Sequence, residues 1–245
     1  MQRRVKAILS YDGSHFHGFQ YQKDTKHQHT IMASLESALK TLHIVSPIVG
    51  AGRTDANVHA LAQVIHFDIP LFWDDLQKLS HCLNNLLHPW IHIKSLMYVD
   101  ETFHARFDAQ KRLYRYVMYE GSYQPHLANY ALHIAPLDVV ALHRCTHYFV
   151  GTHRFGFFKK TGGATTGESR TIFKAGAYRL KHFIVIYFLG DAFLRSQVRM
   201  MTSMLLSVCH GSFTESELIE QRDMNVKHSS LLAPACGLYL SKIYY

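Results

Sequence analysis

The sequence is short of cysteine, of acidic residues and of long apolar runs. Only Cys82, Cys145, Cys209 and Cys236 occur in 245 residues, with no Cys-x-x-Cys pair. Such scattered thiols fit a reducing compartment, where they serve as small buried apolar side chains. No secretory pattern opens the chain and no apolar stretch has the length to span a bilayer, so a cytoplasmic location without a membrane partner is expected. Acidic residues number 18 against 26 Lys and Arg, a formal charge of +8. An excess of that size, with the basic residues set among aromatics, favours a polyanionic partner, and nucleic acid is the leading candidate.

Histidine is abundant instead, at 19 residues. His143 and His147 stand four apart on an expected helix, but Arg144 follows His143 where a zinc-protease motif needs glutamate. His15/His17 and His27/His29 each offer two ligands and no third of matching spacing. No metal site is expected. The stretch Thr161-Gly-Gly-Ala-Thr-Thr-Gly-Glu-Ser lacks the Gly-Lys-Ser/Thr ending of a phosphate-binding loop and reads as a mobile loop.

Hydrophobic residues make up 48% of the chain and charged residues 18%, values typical of a folded protein with room for one large domain or two smaller ones. Val5 to Tyr11 reads as a strand, and Thr30 caps a helix whose Ile31, Leu35, Ala38, Leu39 and Leu42 share a face. Short strands follow at 46–51 and 61–69, then a helix from Trp73 to Leu87 with Asp74 and Asp75 in its first turn, then a strand from Ile91. The second half repeats this order loosely. It has a strand at 113–119, a helix at 137–150, a hairpin turning at Lys181-His182, helices at about 193–209 and 214–223, and a last strand at 238–244. Two βαββαβ-like halves, residues 1–103 and 104–245, imply a duplicated α+β architecture of ferredoxin type, with antiparallel sheets joined across a central cleft.

The most informative stretch is Gly50-Ala51-Gly52-Arg53-Thr54-Asp55-Ala56-Asn57-Val58-His59-Ala60. It lies between two expected strands, so Asp55 is a carboxylate held on a connection between rigid elements. Gly50 and Gly52 let the backbone bend or be approached closely. Arg53 is placed to contact phosphate and to favour the ionised carboxylate. Taken alone, Arg-Thr-Asp also describes an ordinary hairpin turn whose side chains satisfy local amides.

Further segments extend the pattern. They are Tyr11-Asp12-Gly13-Ser14 with Phe16-His-Gly-Phe-Gln, Phe103-His104-Ala105-Arg106-Phe107, Tyr114-Arg115-Tyr116, Arg170-Thr171-Ile172, Ala192-Phe193-Leu194-Arg195 through Val198-Arg199, and Gly237-Leu238-Tyr239-Leu240. In this order, from residue 11 to residue 240, the chain resembles the TruA-type tRNA pseudouridine synthases. It departs from the family pattern at Asn57 and Ser203, where glycine is usual, and at His153-Arg154-Phe155-Gly156-Phe157. Asparagine tolerates positive φ, so the turn at 57 is expected to survive.

The resemblance implies isomerisation of uridine to pseudouridine at positions 38, 39 and 40 of the tRNA anticodon stem-loop, by a homodimer that needs no cofactor. The N1–C1′ bond breaks, the uracil turns in its pocket, and C5 rejoins C1′. A base taken out of its stack needs a groove for phosphate and an aromatic platform. By the resemblance, Asp55 is the essential carboxylate, either adding to C1′ or C6 or stabilising an oxocarbenium-like state. Arg199 pairs with it, Tyr114 packs on the uracil, and Leu238 forms an apolar wall. The residues themselves leave room for plainer roles: Tyr114 or Tyr116 as core, and Arg195 with Arg199 as a basic stripe on one helix. Arg106, Lys111, Arg112, Arg115, Lys159, Lys160 and Arg195 are expected to touch phosphate without reading bases.

Two other readings compete. A non-catalytic, RRM-like RNA-binding module would carry the run Lys/Arg-Gly-Phe/Tyr-Gly/Ala-Phe, which this chain lacks. A histidine-ligated metal hydrolase would declare itself in metal analysis.

Overall fold

The computed structural model describes residues 2–21, 29–161 and 167–245. His27 and most of the small-residue stretch after Thr161 lie outside them. The fold is mixed α+β and divides into two compact units, Met1–Gln110 with Leu240–Tyr245, and Lys111–Tyr239.

The first unit contains β1 (Gln2–Tyr11), α1 (Ile31–Thr41), β2 (Val49–Gly50), β3 (His59–Pro70), α2 (Leu76–Leu87) and β4 (Ile91–Tyr98). Its strands lie in the order β4-β1-β3, with β2 on the far side of β3, and every neighbouring pair is antiparallel. Alternation in β1 buries Val5, Ala7, Leu9 and Tyr11, none more than 5% exposed. With period two they share one sheet face. The apolar stripes of the helices, Ile31, Leu35 and Leu39 on α1 and Leu79, Leu83 and Leu87 on α2, are buried as well. Thr30 Oγ1 accepts from Ala33 N at 3.1 Å, as expected of the cap of α1.

Two expected boundaries move, each for a local reason. Only Val49 and Gly50 of the 46–51 segment join the ladder, because Pro47 has no N–H to give and Asp68 N instead donates to Ser46 Oγ at 2.8 Å. Helix α2 begins at Leu76. Asp75 Oδ1 accepts from Gln77 N and Lys78 N, both at 2.9 Å, so Asp75 is the cap and not a first-turn residue.

The second unit contains β5 (Lys111–Tyr119), β6 (Leu132–His133), α3 (Val139–Thr146), β7 (Gly151–Arg154), β8 (Ser169–Leu180), β9 (Phe183–Gly190), α4 (Gln197–Cys209) and α5 (Glu215–Arg222). The last strand, β10 (Leu238–Tyr244), has Leu238 and Tyr239 in this unit. The antiparallel order is β5-β9-β8-β7, with the short β6 parallel to β5. The β8–β9 hairpin turns at Lys181-His182 as expected, with Lys181 at φ 55°. Phe149 packs edge-on against Phe158 and Phe188, at ring separations of 5.2 and 6.2 Å, within a fully buried aromatic core.

Two helices are shorter than their sequence pattern suggests. Helix α3 stops at Thr146 and gives way to one tight turn, His147–Phe149. There Thr146 Oγ1 and His147 Nδ1 both engage the His143 carbonyl, at 2.6 and 2.9 Å, and compete with continued helix. Helix α4 starts at Gln197 and not near 193, because Ser196 is left-handed at φ 59°. Arg195 therefore precedes the helix, and the plainer alternative of a basic stripe of Arg195 with Arg199 on one helix does not hold.

Candidate active site

The Asp55 loop is clamped by the loop that follows β1. Phe19 N donates to Thr54 O at 3.1 Å and Asn57 N to Phe16 O at 3.4 Å. Tyr11 Oη and Thr54 Oγ1 share a buried hydrogen bond of 2.7 Å, and Gly13 N donates to His59 Nδ1 at 3.1 Å. A turn closes inside the loop, with Val58 N donating to Asp55 O at 3.2 Å and Asn57 at φ 62°, as its tolerance of positive φ allows. Thr54 and Val58 on either side are buried, while Asp55 is half-buried and Arg53 exposed. A carboxylate between two anchored neighbours is held in place at both ends.

Glycine matters in this clamp at positions the chemistry of the loop alone does not single out. A Cβ on Gly13 would lie 2.1 Å from Val58 O, and Gly18 sits at φ +100° against Thr54 O. Gly50 is needed because the Phe19 ring would lie 2.5 Å from its Cβ, so the close approach there is made by the protein's own side chain; Gly52 has open space. We expect Gly13→Ala to destabilise the protein by about 1–3 kcal/mol, the usual cost of overpacking against atoms that cannot retreat. Gly52→Ala, with open space and no positive φ, should leave stability unchanged or raise it slightly, both variants read as shifts in the urea midpoint.

In the second unit Tyr114 and Tyr116 point to the same face of β5 and differ in what they meet. Tyr116 is fully buried, its hydroxyl donates to Pro234 O at 2.8 Å, and burial raises its pKa far above the usual phenol range. Tyr114 is 8% exposed, and its ring meets Phe193 edge-on at 5.2 Å. Arg199, half-buried on α4, donates from Nε to Ala233 O at 2.7 Å, and Ala233 N returns a bond to Arg199 O at 3.1 Å. Gly237 lies against Val117 O and the Tyr116 ring with no room for a Cβ. Tyr116 and Arg199 thus both fix the segment that leads into Leu238, which is buried at the start of β10.

The basic candidates fall into distinct settings. Arg106, Lys111, Lys160 and Arg195 are exposed, with Lys111 Nζ 5.1 Å from the Phe173 ring centre. Arg112 and Arg115 are half-buried, and Arg112 donates to Asp191 O. Lys159 is held by Glu168 at 2.6 Å, with Arg154 at 3.4 Å from the same carboxylate. His143 Nδ1 accepts from Ala177 N at 3.1 Å, and among the described residues no group of three or more His, Cys, Asp or Glu is arranged to hold a metal ion.

Comparison with known proteins decides the family. A family model described as tRNA pseudouridine synthase matches residues 7–108 and 146–245. The chain belongs to the tRNA pseudouridine synthase family. A tRNA pseudouridine synthase A of Campylobacter jejuni is 38% identical over 242 residues, covering 99% of this chain and all of the relative. One from Helicobacter pylori is 40% identical over 249 residues, covering 99% and 100%. A third, from Helicobacter hepaticus, is 37% identical and covers 98% of each. Within this tRNA pseudouridine synthase family match fall Asp55, Arg199 and Leu238, whereas Tyr114 lies in the unmatched interval.

The sequence candidates did not include Thr54, Tyr116 or His66. Tyr11 and Gly13 carried a signal in Tyr11-Asp12-Gly13, but their contact with the 54–59 segment joins positions more than 40 residues apart. No helix among the described residues is long and apolar enough to cross a membrane.

Proposed function

We propose that this chain acts at positions 38, 39 and 40 of the tRNA anticodon stem-loop, as a cytoplasmic homodimer, with Asp55 as its essential carboxylate. The activity rests on the family: the chain is an isomerase that turns uridine into pseudouridine in tRNA. The observation that carries the assignment to Asp55 is the clamp of Tyr11, Gly13 and Gly18 on the 54–58 turn. So much fixed backbone around one half-buried carboxylate suits a group that must meet a flipped nucleotide in one orientation.

In this reading Asp55 attacks or stabilises the sugar or base while N1–C1′ breaks. The uracil turns, C5 bonds to C1′, the C5 proton leaves, and N1 ends protonated. Arg199 is the cationic partner of Asp55, Tyr114 the platform for the uracil and Leu238 its apolar wall. Arg53, Arg106, Lys111, Arg112, Arg115, Lys159, Lys160 and Arg195 grip phosphate. Each half is ferredoxin-like, the first carrying Asp55 and the second completing the cleft. The β4-β1-β3-β2 order of the first unit, antiparallel throughout, supports this for that half.

Mapping pseudouridine in tRNA from cells with and without the gene tests the site assignment; loss confined to positions other than 38–40 would refute it. The phosphate grip predicts that tRNA affinity falls steeply with salt, and that Lys160→Ala flattens the log–log slope by up to about one unit. A salt-independent affinity would refute the grip.

A further inference from the structure

Apart from the Asp55 loop, the first unit contains a second built feature, the turn at residues 103–108. It is anchored from beneath at several points. Ala105 is fully buried, its N–H donating to His66 Nδ1 at 3.0 Å and its carbonyl accepting from Tyr245 Oη at 2.6 Å. His66 is 5% exposed, and burial, reinforced by the nearby Arg4 and His104, pushes its imidazole down to about 4. It therefore stays neutral and keeps a lone pair for Ala105. His104 N donates to Asp108 Oδ2 at 2.8 Å, Asp108 N donates to His104 O at 3.0 Å, and His104 Nδ1 accepts from both Arg106 N and Phe107 N at 3.2 Å.

All this anchoring presents an aromatic ring to solvent. Phe107 is 75% exposed, the most exposed phenylalanine among the described residues, and its ring stacks on His104 at 4.2 Å and 26°. The exposed Arg106 lies alongside, its guanidinium carbon 5.8 Å from the Phe107 ring centre. A phenylalanine left three-quarters in solvent adds little to folding, and a fixed turn lowers the entropy cost of ordering the ring on contact. A flat apolar ring with a cation close by is complementary to a nucleotide, whose base stacks while its phosphate meets the arginine.

We propose that Phe107, backed by His104 and flanked by Arg106, is a stacking platform for an unpaired base of the tRNA substrate other than the reacting uracil. The proposal rests on the tRNA reading above and adds to it a base contact where that reading has only a phosphate grip. His66 and Tyr245 are positioning residues, which hold the turn through Ala105.

The test is tRNA binding over a salt series, with pseudouridine formation measured alongside, for wild type, Phe107→Ala, Phe107→Leu, Phe107→Trp and Arg106→Ala. Alanine substitution of a base-stacking aromatic costs about 1–3 kcal/mol, so Phe107→Ala should weaken binding about 5- to 150-fold, raising KM and leaving kcat unchanged. Its salt slope should match wild type, because stacking releases few counterions. Phe107→Trp should bind as well as wild type or better, and Arg106→Ala should flatten the slope by about one unit. Wild-type affinity in Phe107→Ala, or equal affinity in Phe107→Leu and wild type, would overturn the platform. Failure of the wild type to form pseudouridine would instead count against the functional reading, with the binding series still deciding the platform. Residue 107 is mostly solvated, so the variants should keep the wild-type melting temperature; a fall in melting temperature matching the binding loss would show that Phe107 serves the fold and refute the proposal.

Discussion

Asp55→Asn is expected to abolish pseudouridine formation while tRNA binding stays within a few-fold of wild type. The substitution keeps the size and shape of the side chain and removes the charge and the nucleophilic oxygen, so the Tyr11–Thr54 bond and the turn closed by Val58 N should persist. Essential groups that act only on the reacting atoms lower kcat and kcat/KM together. Single-turnover assays with enzyme in excess, read beside direct binding, separate the two quantities. Residual turnover near the wild-type rate in the Asn variant would remove Asp55 from the mechanism, and equal loss of binding would make it a contact for substrate alone.

Arg199→Ala is expected to be the most damaging change in the second unit. Two effects combine there: the proposed cationic partner of Asp55 is lost, and Ala233 O loses the Nε donor that holds the segment leading into Leu238. Losing one pre-set charged donor at the reacting atoms typically costs about a hundredfold or more in kcat, so a fall of that size is expected with a lowered melting temperature. Arg199→Lys keeps the charge without the fork of donors and should recover little of the activity. Arg112→Ala is the comparison, since Arg112 bonds Asp191 O and is proposed to grip phosphate; it should weaken tRNA binding and leave kcat near wild type. Equal, mild losses in Arg199→Ala and Arg112→Ala would reduce Arg199 to surface charge.

The elements were legible where one local signal dominated. Thr30 caps α1 as its hydroxyl and the following apolar spacing require, and β10 occupies residues 238–244 as expected. The boundaries that moved did so because side chains took backbone partners that periodicity cannot reveal. Asp75 used its carboxylate as a cap, and Thr146 and His147 crowded the His143 carbonyl. At α4 the apolar pattern runs on through Phe193 and Leu194, but the left-handed Ser196 breaks the helix between Arg195 and Arg199. The alternative of an i,i+4 arginine stripe is removed by that one torsion.

By itself the sequence determined the family, through motifs ordered along nearly the whole chain, and with it the carboxylate, the tyrosine and the arginine proposed to act. The basic charge and the α+β class were also local or compositional properties, and such properties survive without coordinates. The tertiary structure alone decided what holds those residues. It brought Gly13 against Val58, Tyr11 against Thr54, Tyr116 against Pro234 and His66 beneath Ala105. Each of these contacts joins residues 39 or more positions apart, and their formation depends on how strands pair and loops close, which no single segment encodes. The same closure left Phe107 in solvent while burying Phe149, Phe155 and Phe158. Composition counts those rings alike; burial, a property of the folded chain, separates a ring that builds the core from one available to a partner.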